Sequence, residues 1–154
     1  MKVYVRETVR IVCLDAASHV LLLRWRDPFD GATVWALPGG GIESGESTMA
    51  AARRELVEET GLDAPTIVDG SLVLERDSMF GGVRLVGPEN YFVARFDASA
   101  PELSRHGLME DEQQNLTGYA WLSPEELTTV DGRLEPAGLG AALARLSPGG
   151  AWDR

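Results

Sequence analysis

The stretch GGIESGESTMAAARRELVEETGL, residues 40–62, decides how the rest of the chain is interpreted. It begins inside a run of three glycines and carries three glutamates within five residues near its end. From about Ser47 to Thr60 the composition favours a helix, and Gly61 is a typical C-terminal stop. The stretch therefore predicts a loop, a helix and a second loop in direct succession.

The three glutamates, Glu55, Glu58 and Glu59, share one side of this predicted helix. At ~100° per residue they occupy a sector of roughly 100°, next to the apolar stripe that would face the core. Like charges at these spacings repel by about 0.2–0.5 kcal/mol per pair, and the last turns of a helix favour cations. One interpretation is a solvated acidic face.

The other interpretation is a set of ligands for a hard divalent cation. Mg²⁺ is held in proteins by a few carboxylates together with substrate phosphates. The carbonyl groups of a glycine-rich loop can approach such an ion closely because no Cβ blocks them. This interpretation predicts metal-assisted attack of water on a phosphorus centre.

The spacing within the stretch carries a resemblance. Gly40 is followed by five residues, Glu46 by seven more, and then comes the run RELVEETGL, residues 54–62. These residues fill every constrained position of the Nudix box, so the chain resembles the Nudix hydrolase family. Outside the box the resemblance rests on strand order and on the aromatic-Leu-Pro-Gly-Gly lead-in from Trp35 to Gly40.

The resemblance implies a role for each matching residue of the box. Glu55, Glu58 and Glu59 correspond to ligands of Mg²⁺ or Mn²⁺. Arg54 corresponds to the arginine that orients a catalytic glutamate. The backbone carbonyl at Gly39 or Gly40 corresponds to a ligand from the loop.

Two further acids are less closely defined by the resemblance. Glu46 is the first acid of the box, for which loop stabilisation and metal contact are both open. The family often adds a carboxylate from outside the box, and the candidates are Glu110, Asp111 and Glu112. We favour Glu112 as a catalytic residue, against the alternative of a solvated loop.

The fold class implied is α/β: an α/β/α sandwich around a mixed β-sheet, with the box forming a loop-helix-loop. Residue patterns predict strands and a final helix outside the box, and residues 1–154 are expected to form a single domain whose last residues, 147–154, are a flexible tail. A helix is also expected from Ser123, whose Ser-Pro-Glu-Glu run is a strong start signal. The predicted strands are 8–14, 20–26, 35–38, 67–68, 71–75, 90–96 and 119–122, and the final helix lies within 138–146.

Charge and cysteine content limit the classes of function. The formal net charge is −10, which argues against binding to a nucleic acid backbone. Cys13 is the only cysteine and lies in an apolar run, so it is expected in the core of a protein of the reducing cytoplasm. The N-terminal residues do not resemble a secretion signal, and no apolar run approaches the ~18 residues of a membrane span.

Four residues outside the box are candidates for substrate binding. Arg24 and Arg26 share one face of a predicted strand, where an arginine can grip phosphates, and Trp25 takes the other face. The alternative for both arginines is exposed charge on a half-solvated strand. Trp35 and Phe80 are candidates for stacking on a base, with core packing as the alternative.

The function implied is Mg²⁺-dependent hydrolysis of the diphosphate linkage in a nucleoside diphosphate joined to another moiety. A (d)NTP or an oxidised nucleotide is the default substrate, with ADP-ribose or a dinucleoside polyphosphate as alternatives. A nucleotide sensor or interaction module without turnover is the alternative function. We expect a small-molecule nucleotide partner and a homodimer, with neither nucleic acid nor membrane as partner.

Overall fold

A computed structural model describes residues 2–104, 107–108 and 110–146, without the side chains of residues 110, 111 and 113. In this part of the chain nine strands form one mixed sheet, accompanied by four helices. The strands are β1 (Val3–Val5), β2 (Thr8–Leu14), β3 (Val20–Arg26), β4 (Thr33–Ala36), β5 (Gly39–Gly41), β6 (Thr66–Phe80), β7 (Val83–Arg95), β8 (Leu116–Leu122) and β9 (Arg133–Glu135). The helices are α1 (Thr48–Thr60), α2 (Glu110–Asn115), α3 (Pro124–Leu127) and α4 (Leu139–Leu146).

The central path of the sheet runs β1-β7-β2-β3-β4-β9. Strand β5 pairs with β2, β6 with β7, and β8 with β3. The pairs β1–β7, β2–β7 and β4–β9 are parallel, and the others are antiparallel. The sheet is therefore mixed, as the sequence predicts.

The core lies on both faces of the sheet, and β2 contributes to both halves. Ile11 and its alternate neighbours pack with α1 through Leu56, whereas Val12 packs with α4 through Leu143. A strand buried on both faces reads as a continuous apolar run, which explains the composition of β2. Helices on both faces of a mixed sheet form the predicted α/β/α sandwich.

A gap opens between β2 and β3. The two strands share one ladder pair, Leu14 with Val20, and beyond it β2 pairs with β5 while β3 pairs with β4 and β8. A cavity of about 250 Å³ lies in this region and is lined from both sides, by Arg10 of β2 and Trp25 of β3 among others. The divergence of the two strands thus leaves room for this cavity.

The ends of several elements agree with the sequence signals. Strands β2 and β3 have the predicted bounds. Ser47 caps α1 by accepting a hydrogen bond from the Ala50 amide at 3.1 Å, and Gly61 ends it in the left-handed conformation, φ 72°. Ser123 begins α3 with a complete capping box.

Other elements differ from the expectations. The triple glycine is strand β5, since Gly39–Gly41 pair with β2, and only residues 42–47 form the loop before α1. The two strands expected within 67–75 are one long strand, β6, with an irregularity between Asp69 and Leu72. The segment around Glu112 is helix α2, where a loop is expected. Strands β1 and β9 are additional, and the expected tail, 147–154, lies outside the described residues.

None of the described helices combines the length and the apolar character that crossing a membrane requires.

Candidate active site

Close packing brings the glycine strand β5 against the acidic helix α1. A Cβ at Gly39 would overlap the carbonyl oxygen of Val9, and the φ of Gly39 is +153°. A Cβ at Gly40 would lie 2.5 Å from Oε1 of Glu55. Glycine is required at Gly39 because the neighbouring backbone lies directly against it, whereas a side chain at Gly40 would displace the Glu55 carboxylate.

Arg54 is the hydrogen-bonding hub of this region. Its Nε and Nη2 donate to the two carboxylate oxygens of Glu46 at 2.8 and 2.9 Å. Its Nη1 donates to Glu55 at 3.0 Å and to Glu58 at 3.1 Å, and Nη2 also donates to the Gly41 carbonyl at 2.9 Å. One guanidinium therefore joins the loop, the strand β5 and the acids of α1.

Glu46 is held by this hub and by its own loop. Besides Arg54, its carboxylate accepts a hydrogen bond from the Glu43 amide at 3.0 Å. The Arg54 side chain, followed by the Glu43 amide, lowers the pKa of Glu46 to about 2. These contacts favour the loop-stabilising role among the two that the sequence leaves open.

Glu59 and Glu55 are buried carboxylates, and their pKa values are raised, in contrast to that of Glu46. Burial, followed by repulsion from Glu55, raises the pKa of Glu59 to about 8. This occurs although Glu59 accepts a 2.8 Å hydrogen bond from the Gly39 amide and lies near the Arg10 charge. Burial also raises the pKa of Glu55, and Arg54 opposes that rise. The site therefore has more carboxylates than nearby cations to stabilise their ionised forms.

A hard divalent cation would stabilise the ionised forms of these carboxylates. Glu55 and Glu59 are buried beside the backbone of β5, and the side chain of Glu58 is 45% exposed at the rim. Among the described residues, no three acid, His or Cys side chains already surround one ion position, and Arg54 bridges Glu55 and Glu58. Glu55, Glu58 and Glu59 offer the carboxylate oxygens that a hard cation prefers, and Arg54 bonds to only one oxygen of Glu55 and one of Glu58.

The cavity between β2 and β3 adjoins the buried acids. Glu59 and Glu112 both line it, and the charge of Glu112 adds to the repulsion that raises the pKa values of Glu55 and Glu59. Helix α2 thus brings a carboxylate from outside the box to the same space. The side chains of Glu110 and Asp111 lie outside the described part. The remaining wall is formed by Arg10, Trp25, Val34, Ala36, Gly39, Arg76, Ser78, Met79, Phe80, Leu85, Asn115 and Glu135.

The substrate-binding candidates divide between two locations. Phe80 lines the cavity. Arg24 lies over the ring of Trp35, at 5.7 Å from its centroid, and neither residue lines the cavity. Both are on the opposite face of the β3–β4 pair from Trp25, as strand alternation requires. Arg26 is exposed and donates to Asn115 at 3.3 Å, at the edge of the cavity.

Sequence reasoning missed a second charged group in the cavity. Arg10 donates from Nε to Glu89 at 2.7 Å and from Nη1 to the Leu37 carbonyl at 3.0 Å. Arg76 lies 3.7 Å from the same Glu89 oxygen and donates to the Ser78 hydroxyl at 3.0 Å. Burial favours a higher pKa for Glu89, but Arg10 and Arg76 together hold it below its usual value.

A weak sequence signal for this group exists at one position. Arg10 interrupts an otherwise apolar strand that is buried along its whole length. A charge in such a strand needs a buried partner, which is an argument for a polar cluster nearby. Nothing local in the sequence indicates that Arg76, Glu89 and Glu135 supply it.

Comparison with known proteins places this geometry in a family. An RNA pyrophosphohydrolase from Erythrobacter litoralis (strain HTCC2594) is 32% identical over 103 residues, which cover 60% of this chain and 61% of that protein. Nudix hydrolase 25 from Arabidopsis thaliana is 26% identical over 127 residues, which cover 75% of this chain and 71% of the relative.

Among solved structures, the NUDIX domain of Shewanella oneidensis NrtR complexed with ADP ribose has a similar fold. Its TM-score is 0.65 at 21% identity, and the match covers 94% of this chain and 90% of that one. The family model of the NUDIX domain matches residues 5–142 of the 154, a span that includes the whole box and almost the entire described sheet. The chain therefore belongs to the NUDIX domain family.

Proposed function

We propose that this chain is a divalent-cation-dependent pyrophosphohydrolase that cleaves the diphosphate linkage of a nucleoside diphosphate joined to another moiety. The observation that carries the proposal is the pair of buried carboxylates, Glu55 and Glu59, beside a cavity with too little positive charge to neutralise them. A hydrolase that loads a cation together with its phosphate substrate accounts for that excess.

Glu55, Glu58 and Glu59 would hold the cation, with the backbone carbonyl of Gly39 or Gly40 in strand β5 as a further ligand. Mg²⁺ is the expected ion and Mn²⁺ an alternative. When bound, such a cation neutralises phosphate charge and polarises the phosphorus centre toward attack by water.

The chain's own residues supply the remaining functions. Arg54 positions Glu55 and Glu58 through Nη1. Glu59 and Glu112 are the acids of α1 and α2 that line the cavity, so the proton of the attacking water passes to one of them. The apolar part of the cavity wall binds the part of the nucleotide outside the diphosphate. Because this wall lies close to Glu59, binding there positions the diphosphate beside that residue.

A binding module without turnover is the second candidate. The observation in its favour is that Arg54 bridges Glu55 and Glu58, so these acids are already neutralised in part by the protein itself. The NrtR domain complexed with ADP ribose offers a structural parallel in fold. In this case the same cavity would bind a nucleotide and leave its diphosphate intact.

The test is a substrate panel followed by ³¹P NMR, in Mg²⁺, in Mn²⁺ and in EDTA. The panel contains the four dNTPs, GTP, 8-oxo-dGTP, ADP-ribose, a dinucleoside tetraphosphate and a 5′-triphosphorylated RNA oligonucleotide. We expect cleavage of at least one diphosphate linkage with either cation and none in EDTA. Tight calorimetric binding of a panel member without any cleavage would overturn the hydrolase proposal in favour of the binding module.

A further inference from the structure

The cavity carries a second charged group that the proposed chemistry does not use. Arg10, Arg76 and Glu135 line the wall, and Glu89 lies behind the two arginines. Arg10 lies between the two charged groups, since its charge acts on Glu59 and also on Arg76 and Glu135. The group shares the cavity with Glu59 and Glu112.

Arg76 is the member of this group with donors to spare. Its side chain is 15% exposed, its Nε donates to Ser78, and its two Nη groups make no hydrogen bond to the residues that the structure describes. Neither Nη group is sealed from solvent, and the residue lines the cavity. A guanidinium in this state presents a fork of N–H donors to a ligand with two adjacent acceptors.

The charge balance of the group determines which ligand suits this fork. Two arginines face two glutamates, because Glu89 lies against both Arg10 and Arg76 and Glu135 lies in the same group. A phosphate at Arg76 would be repelled by both carboxylates, and no net positive charge would compensate it. A neutral group with acceptors next to donors satisfies the fork and the Glu135 carboxylate together.

The rest of the wall is suited to a flat ring. Trp25 and Phe80 line the cavity together with Val34, Met79 and Leu85. Aromatic and apolar side chains around a few convergent polar groups are typical of sites that hold a heterocycle.

We propose that this group reads the edge of a 6-oxopurine, so that the substrate is a guanine or hypoxanthine nucleotide. The Arg76 fork donates to the adjacent acceptors O6 and N7, and Glu135 accepts from N1–H and, in guanine, from the 2-amino group. Trp25 and Phe80 form the apolar wall against the ring. The proposal rests on the proposed function, since it names the substrate class of the same site.

The donor pattern separates this class from the other purines. An arginine fork matches the O6 and N7 acceptors of guanine, the commonest specific contact of arginine with a base edge. Adenine has a donor at position 6, which meets the Arg76 donors without an acceptor. A pocket that offers a hydrogen-bonding fork disfavours the base that leaves it unpaired.

Selectivity is tested first by binding without a cation. GMP, IMP and AMP are titrated in EDTA by isothermal calorimetry, with wild type, Arg76→Lys, Glu135→Gln and the control Arg84→Lys. Arg84 is a matched control because it lies on the same β6–β7 hairpin, is exposed, and pairs with Asp77 instead of facing the cavity. We expect GMP to bind about 10-fold or more tightly than AMP, with IMP between them.

Each variant has its own expected effect. Arg76→Lys keeps the charge but loses the fork, so the preference for GMP over AMP falls to within about 2-fold. Glu135→Gln weakens GMP more than IMP, because only guanine has the 2-amino group. Arg84→Lys leaves all three affinities unchanged. Circular dichroism of each variant confirms that the fold is retained.

The outcomes also separate this proposal from the proposed function. The ratio of kcat/KM for GTP over ATP in Mg²⁺ should follow the GMP preference across the same variants. Equal binding of GMP and AMP by the wild type, or an unchanged preference in folded Arg76→Lys, would overturn the base-edge proposal even if hydrolysis is found. If the GMP preference is lost in Arg76→Lys but no panel member is hydrolysed, the base-edge proposal is supported and the hydrolase proposal is overturned.

Discussion

Two clusters of charged side chains lie near strand β5. They differ in whether cationic side chains balance their carboxylates. The carboxylate cluster, Glu55 and Glu59 with Arg54, has more carboxylates than cations, and the pKa values of both glutamates are raised. The arginine–glutamate cluster, Arg10, Arg76, Glu89 and Glu135, is balanced in formal charge, with Arg10 and Glu89 joined at 2.7 Å.

The difference shows in the direction of the pKa values. The pKa of Glu59 is raised to about 8 by burial and like charge, whereas arginines hold the pKa of Glu89 below its usual value despite burial. An ionised buried carboxylate is costly without a nearby cation, so the raised pKa of Glu59 favours the cationic ligand proposed for this cluster. The arginine–glutamate cluster is balanced in formal charge, so its role is to shape the cavity and to offer hydrogen bonds to a ligand.

Replacing Glu59 with Gln should give the largest effect and test the carboxylate cluster directly. Because a buried carboxylate is removed without change of shape, kcat should fall by ~10³-fold or more, while the metal-free fold stays intact. Steady-state kinetics and thermal unfolding in EDTA measure the two effects. Glu125→Gln, an exposed acid of α3, is the control and should retain activity. Normal turnover by Glu59→Gln would show that Glu59 takes no part in catalysis.

Glu59 also predicts a dependence of stability on pH. The pKa of Glu59 rises from an ordinary 4.5 when unfolded to about 8 when folded, so the folded protein binds the extra proton between these values. The metal-free free energy of unfolding should therefore fall by several kcal/mol as the pH rises from about 5 to about 8.

Urea unfolding in EDTA at several pH values measures this fall. Glu59→Gln should flatten the dependence because the titrating group is gone. Saturating Mg²⁺ should also oppose the fall, since it favours the ionised carboxylate. A wild-type stability that rises over this range would contradict the excess of charge.

Breaking the balanced cluster should cost stability. Glu89→Gln leaves Arg10 buried without its carboxylate, and removal of one partner from a buried ion pair costs about 3 kcal/mol. Chemical denaturation compares this variant with Asp77→Asn, which breaks an exposed pair with Arg84 on the same hairpin and should change stability little. Equal effects of the two variants would mean that the buried Arg10–Glu89 pair contributes no more to stability than the exposed Arg84–Asp77 pair.

Arg54→Lys should give the smallest of these effects. Lysine keeps the charge but loses the fork that holds Glu46, Glu55 and Glu58 together, so kcat/KM and Mg²⁺ affinity should fall by ~10–100-fold. Calorimetric Mg²⁺ titration and kinetics measure them, with exposed Arg53→Lys as the control. Unchanged Mg²⁺ affinity would mean that Arg54 does not position the acids.

Local patterns account for what the sequence predicts well. Helix α1, its Ser47 cap and its Gly61 stop depend on neighbouring residues, and the box has a fixed spacing. The family predicted from the box is confirmed by the match of the NUDIX domain model, and the fold class by the mixed sheet with helices on both faces. The roles of individual site residues stay predictions, although Glu112 and Phe80 do line the cavity with Glu59.

Contacts between distant segments explain what the sequence does not predict. Strand β9 depends on pairing with β4, and β5 on pairing with β2, so neither needs a strong pattern of its own. Alternation in β3 places Trp25 opposite Arg24, but only the packed sheet shows that the Trp25 face meets the cavity.

By itself, the sequence determined that three glutamates and an arginine share one helix after a glycine run, because helical periodicity is local. Only the tertiary structure decided that Glu55 and Glu59 are buried while the side chain of Glu58 is 45% exposed, and that Arg10, Arg76 and Glu135 meet in one cavity. Burial and charge balance arise from packing between segments far apart in the chain. They decide which of these charges a ligand must neutralise.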